Sequence, residues 1–214
     1  VLPHLNGLPY LDKPILFFAA VAVSIEVFGV NEFAARLAPL LFGLATAAIA
    51  GAVALRFWGR GAAVVAVTAT ATAPLALGLS RPVIMDTALS LFVVLALVSF
   101  FFAIERRSGG EVDPRMGWRW YVWTFIAWAA MGLGVLTKGP VAFAVPLLVA
   151  TGYAVWRRCA LAVWHPFGPI VMLAVALPWV WAVSREIPNF LHYVVVTETW
   201  ARMTTDELRR TEPV

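Results

Sequence analysis

The sequence predicts an all-α protein: a polytopic transmembrane helical bundle of about six spans with one juxtamembrane amphipathic helix. Three observations predict it. Of 214 residues, 62% are hydrophobic and only 13% are charged, with a mean hydropathy of +0.85. Soluble domains carry about 25% charged residues. Six apolar stretches without a charge approach the roughly 20 residues that a helix needs to cross a bilayer. All the bases lie outside those stretches, in the segments between and flanking them. In lipid every backbone polar group must be paired internally, so such runs are helices.

The elements follow in order within a single transmembrane domain, residues 1–214. Residues 1–13 read as an outer loop. Residues 15–30 are interrupted by Glu26, and Leu16, Ala20, Val23 and Val27 recur at helical spacing. A short run of this kind lies in the membrane interface more readily than it spans. Six spans follow over 37–184: residues 37–55, 61–80, 87–104, 120–137, 139–156 and 167–184. Pro39, Pro74, Pro146, Pro169 and Pro178 fall inside or near the ends of spans, where membrane helices tolerate proline. Residues 185–214 are polar and mixed in charge, an outer loop with one short amphipathic helix.

The net charge of +4 gives no nucleic-acid surface, because the bases sit in membrane loops. Arg56, Arg60, Arg106, Arg107, Arg115, Arg119, Arg157 and Arg158 share one side of a six-span topology, and only Arg81 and Lys138 occupy the turns of the other. That imbalance puts the first set in the cytoplasm. Trp58, Trp118, Trp120, Trp156, Trp164 and Trp181 stand near the boundaries as an aromatic belt. A single cysteine, Cys159, excludes an internal disulfide and a thiolate metal cluster.

The same parity gathers Asp12, Lys13, Arg81, Asp86, Lys138, Glu198, Arg202, Arg209 and Arg210 at the outer face. Five of these have a plain reading. Asp86 suits the amino terminus of a helix through the macrodipole. Lys138 suits a snorkelling residue at a tight turn. Arg202, Arg209 and Arg210 suit a lipid-headgroup face. Together, carboxylates and cations at one membrane surface suit an anionic lipid headgroup, with lysine a point charge and arginine a bidentate fork. His4, His165 and His192 are scattered, and no glycine-rich phosphate loop, paired-histidine metal motif or nucleophile elbow is present.

Four segments, LNGLPYLDKPILF, FGVNEFAARLAPLLFGLATA, LSRPVIMDTALSLF and GLGVLTKGPVAFAVPLL, occur in this order. They resemble the membrane glycosyltransferases of the protein mannosyltransferase and lipid A aminoarabinose transferase type, in the GT-C class. The resemblance implies transfer of a sugar from a polyprenyl-phosphate donor to an acceptor hydroxyl of lipid A, a protein or an envelope glycan. It implies a bacterial inner (plasma) membrane location with the active face periplasmic. The bilayer, the lipid-linked donor and the acceptor are then the partners.

The resemblance also assigns residues. Asp86 and Asp12 match the family's acidic positions near the reaction centre. Lys13 matches the lysine that faces the donor phosphate. Lys138 matches the lysine of the TKGP segment, Arg202 the arginine of the outer loop, and Arg81 adds a cation beside Asp86. Asp12 and Glu198 are the candidate ligands of a divalent metal, to which the sequence does not commit. The stretch Thr197–Trp200 lacks the family's histidines, and this leaves a histidine metal site without support. The family's principal catalytic aspartate is expected upstream of Val1, so the chain is expected to be a fragment lacking the first span and the carboxy-terminal part. A transporter or flippase of an amphiphilic anion, or a non-catalytic membrane homologue, is the alternative. The sequence names neither the sugar nor the acceptor.

Overall fold

The computed structural model describes residues 4–5, 8–9, 13–74, 78, 83–108, 119–187 and 190. Two compact units divide the chain, one of residues 14–176 and one of residues 1–13 with 177–214.

The larger unit opens with α1, Leu16–Phe28, inside the segment read as juxtamembrane. Its Ser24 hydroxyl donates to the Ala34 carbonyl at 2.7 Å, which ties it to the next helix. Gly29 turns the chain at φ 82°. Asn31 then caps α2, Glu32–Trp58, its side chain accepting from the Ala34 N–H at 2.8 Å. Gly59, at φ 86°, closes a hairpin onto α3, Arg60–Thr72. The two helices run so close that a Cβ on Gly51 would strike the Val67 side chain.

Next come α4, Asp86–Ser108, α5, Arg119–Lys138, and α6, Val141–Trp156. A 3-10 turn at Ala160–Ala162 leads to α7, Phe167–Glu186. Helices α4 and α5 are antiparallel neighbours, and α6 reverses again at Gly139, φ 85°. Their common core is rich in small residues: Ala96, Ala103, Ala127, Ala130, Ala150 and Ala154 are all buried. Small side chains let helix backbones approach in a membrane protein, where apolar surface alone gives little drive. Phe100 meets Trp128 edge-on at 6.3 Å in this core. The Trp128 indole donates to the Val163 carbonyl at 2.9 Å, and Thr124 donates to the Ala162 carbonyl at 2.8 Å. Those bonds pin the 3-10 turn to α5.

The smaller unit contains a short antiparallel pair, β1, His4–Leu5, and β2, Leu8–Pro9. Alternation is too brief there to read from sequence. This unit also holds the last part of α7, where Trp179 packs edge-on against Phe190 at 5.7 Å.

The chain is a polytopic helical membrane protein, and among the described residues four helical segments are long and apolar enough to cross a bilayer. They are Glu32–Trp58, Asp86–Arg107, Arg119–Lys138 and Ala160–Glu186. The other two expected spans are shorter helices among the described residues. Helix α3 stops at Thr72 rather than running to residue 80, because Ala73 takes an extended conformation, ψ 131°, ahead of Pro74. The proline ring disfavours helical backbone in the residue before it. Helix α6 spans Val141–Trp156, starting directly after Pro140.

Candidate functional site

Helix polarity sorts the charged groups before any side chain is considered. Helix α4 begins with Asp86 and α5 ends with Lys138, so an acid meets a helix amino terminus and a base a carboxy terminus. Because α4 and α5 are antiparallel, both lie at one end of the bundle. There the Lys138 Nζ donates directly to Asp86 Oδ1 as a salt bridge. The two side chains are 34% and 31% exposed, between solvent and core.

The local sequence holds this pair in place. The Gly139 N–H returns to the Val135 carbonyl at 3.0 Å and ends α5 in a left-handed residue, as helix caps commonly do. Pro140 then starts α6 with φ −59°. Below the pair, Gly134 sits against Ala142 of α6 and Phe92 of α4, so three helices converge. Phe17 of α1, Ala88 and Phe92 form the buried floor, with Met85 and Leu133 packed against it.

The opposite end of the bundle carries arginines. The Arg107 guanidinium lies 4.4 Å over the Trp120 ring, and that of Arg106 lies 5.9 Å from Trp123. Glu105 accepts from the Tyr153 hydroxyl at 2.6 Å and pairs with Arg157 at 3.2 Å. Arg56 reaches the same end through Phe57, which packs on Phe101 and Phe102 of α4. His165 lies there too, among Trp120, Tyr121, Phe125 and Phe167.

Of the expected site residues, the structure therefore brings Asp86 and Lys138 together. Lys13 is partly buried and belongs to the smaller unit. Asp12, Arg81, Glu198 and Arg202 lie outside the described residues, as does His192. Among the described residues no three His, Cys, Asp or Glu side chains gather into a metal-binding group. The Glu105–Tyr153–Arg157 cluster was not legible in the sequence. Glu105 stands 48 residues from Tyr153 and 52 from Arg157, and each alone reads as a belt or loop residue.

The helical bundle is of the GT-C polytopic type. Its architecture matches ArnT from Cupriavidus metallidurans in the apo state with a TM-score of 0.79 at 30% identity, over 94% of this chain and 36% of that one. The form of that protein bound to undecaprenyl phosphate gives 0.75 at 31% identity, with the same coverage. Residues 3–194 match the model of the dolichyl-phosphate-mannose-protein mannosyltransferase family, and the chain belongs to that family. An undecaprenyl phosphate-alpha-4-amino-4-deoxy-L-arabinose arabinosyl transferase of Erwinia tasmaniensis is 28% identical over the whole of this chain. The corresponding enzyme of Aeromonas hydrophila is 30% identical, again over the whole chain. The chain spans 38% of the length of each of these two relatives.

Proposed function

We propose that this chain forms part of a glycosyltransferase that moves a sugar from a polyprenyl-phosphate donor to an acceptor hydroxyl. The active face is the periplasmic side of a bacterial inner membrane, the side opposite the arginine-rich end. The single observation that carries the reading is the Asp86–Lys138 pair, a carboxylate and an ammonium held together at one end of the bundle. The relatives' names supply the donor class: they are undecaprenyl-phosphate-dependent arabinosyl transferases. The acceptor is a hydroxyl of lipid A, a protein or an envelope glycan.

In the proposed reaction the acceptor oxygen attacks the anomeric carbon. The bond from that carbon to the phosphate oxygen breaks, and the lipid phosphate leaves as a dianion. Asp86 takes the acceptor proton, with Asp12 the second acidic group near the centre. Lys138, Lys13, Arg81 and Arg202 face the leaving phosphate, where preorganised cations in a poorly hydrated site stabilise developing charge. The prenyl chain contributes membrane binding at about 0.8 kcal/mol per buried methylene. A divalent metal, where one takes part, would be held by Asp12 and Glu198.

The test is a transfer assay on the full protein with several polyprenyl-phosphate sugars and matched acceptors. Lys13→Ala should reduce transfer efficiency about tenfold to a hundredfold, the effect of one lost charge-assisted contact. Lys13→Arg should rescue it only in part. Absence of transfer with every donor, or unchanged kinetics in Lys13→Ala, would overturn the assignment it addresses.

A further inference from the structure

The arginine end of the bundle contains a groove that the proposed reaction does not use. It lies between α2 and α4, measures about 470 Å³, and is lined by Val53, Phe57, Trp58, Leu97, Val98 and Phe101. Every lining side chain is aliphatic or aromatic. Trp58 and Phe57 are 74% and 47% exposed at its rim.

A row of rings joins this rim to two arginines. The Arg56 guanidinium stands 6.0 Å from the Phe57 ring. Phe57 stacks on Phe102 at 6.1 Å with ring planes 10° apart, and Phe102 lies 5.0 Å from Trp123. The Arg106 guanidinium lies 5.9 Å from the centre of the Trp123 ring. Both Arg56 and Arg119 are near enough for their charges to act on Arg106. Glu105 at this end is taken by Tyr153 and Arg157. Among the described residues no carboxylate forms an ion pair with Arg56, Arg106 or Arg119.

Like charges held together, with no carboxylate paired to them among the described residues, attract an anion, and the groove beside them accepts only apolar matter. A free phosphate would satisfy the first feature and leave the second empty. We propose that this end of the bundle holds one membrane phospholipid with an anionic headgroup. Its phosphate lies on Arg56 and Arg106, and one acyl chain fills the α2–α4 groove. The site is separate from the Asp86–Lys138 end and stands whether or not the proposed transfer is correct. A general basic belt predicts diffuse attraction to an anionic leaflet; a groove with a headgroup clamp predicts a retained, countable lipid.

The experiment is native mass spectrometry of the purified full protein titrated with phosphatidylglycerol or phosphatidylcholine. Wild type should retain one phosphatidylglycerol and release phosphatidylcholine. Each arginine near an anionic headgroup contributes about fivefold in affinity, so Arg56→Ala/Arg106→Ala should weaken retention about thirtyfold. Arg56→Lys/Arg106→Lys should retain the lipid better than the alanine pair. Leu97→Trp, which fills the groove and leaves both arginines, should also weaken it. It keeps the test decisive if the alanine pair does not fold. Equal retention of the two lipids, or undiminished phosphatidylglycerol retention in folded groove and arginine variants, would overturn the proposal.

Discussion

Removing the charges of Asp86 and Lys138 singly and together distinguishes an ion pair that only braces α4 against α5 from one that takes part in transfer. The variants are Asp86→Asn, Lys138→Met and their combination, in the full protein. Asparagine keeps nearly the shape of aspartate and serves equally well at a helix start, but it carries no charge. The pair is about one-third exposed. Its loss therefore falls between the roughly 0.2–1 kcal/mol of a solvent pair and the 3–5 kcal/mol of breaking a buried one. Each single change should lower stability by about 1–2 kcal/mol on that scale. The double variant leaves neither charge stranded and should recover most of that loss, the signature of coupled residues. Transfer should behave differently. Losing a charge-assisted contact in the transition state removes about 1.5–3 kcal/mol, or roughly tenfold to a hundredfold in kcat/KM. The double variant should be no more active than the worse single one. Thermal unfolding in detergent reads stability, and transfer from a radiolabelled polyprenyl-phosphate sugar reads activity. A double variant that regains transfer along with stability would refute the catalytic reading and leave a structural brace.

Gly134→Ala should destabilise the bundle, since the added Cβ would lie 2.7 Å from that of Ala142 and 3.4 Å from that of Phe92. Overpacking of about 1–3 kcal/mol should exceed the roughly 1 kcal/mol that alanine gains in helix propensity. Adding Ala142→Gly should restore the melting temperature, and a fully stable Gly134→Ala protein would contradict the packing. Trp128→Phe strands the Val163 carbonyl, which now accepts at 2.9 Å, and should lower stability by about 1–3 kcal/mol. Calorimetry checks this, and an unchanged melting temperature would count against that bond. Single cysteines in place of Arg107 and Lys138, in a Cys159→Ala background, should label from opposite sides of the membrane. Labelling of both from one side would break the topology on which the active face rests.

Charge placement was readable from the sequence because parity along a membrane chain needs only span counting. Asp86 and Lys138 fell on one face by that count, and Arg56, Arg106 and Arg107 on the other. The structure puts the first two in contact and the others at the far end. The contact itself was not readable, since Asp86 and Lys138 are 52 residues apart and helix packing decides whether they touch. Span length was misread at Pro74, although Pro39 and Pro178 sit inside unbroken helices. Residues 61–80 are uncharged throughout, yet α3 ends at Thr72 because hydropathy takes no account of the backbone before Pro74. The Tyr153–Glu105 bond escaped for another reason: a tyrosine near a boundary fits an aromatic belt equally well.

If the proposed transfer holds, the Asp86–Lys138 contact would also set an order of events. Lysine carries one positive charge, and here a carboxylate already holds it. A lipid phosphate arriving at Lys138 must share or replace that carboxylate, so the two anions compete for one ammonium. When the phosphate wins, Asp86 loses its partner while an acceptor hydroxyl can be near enough to take its place. Arrival of the donor then unlatches the base. An end of the bundle that is electrically balanced at rest becomes poised for proton transfer only when a phosphate has engaged the lysine. On that proposal the ordering comes from a partner exchange at Lys138, between the carboxylate it holds now and the phosphate it would meet.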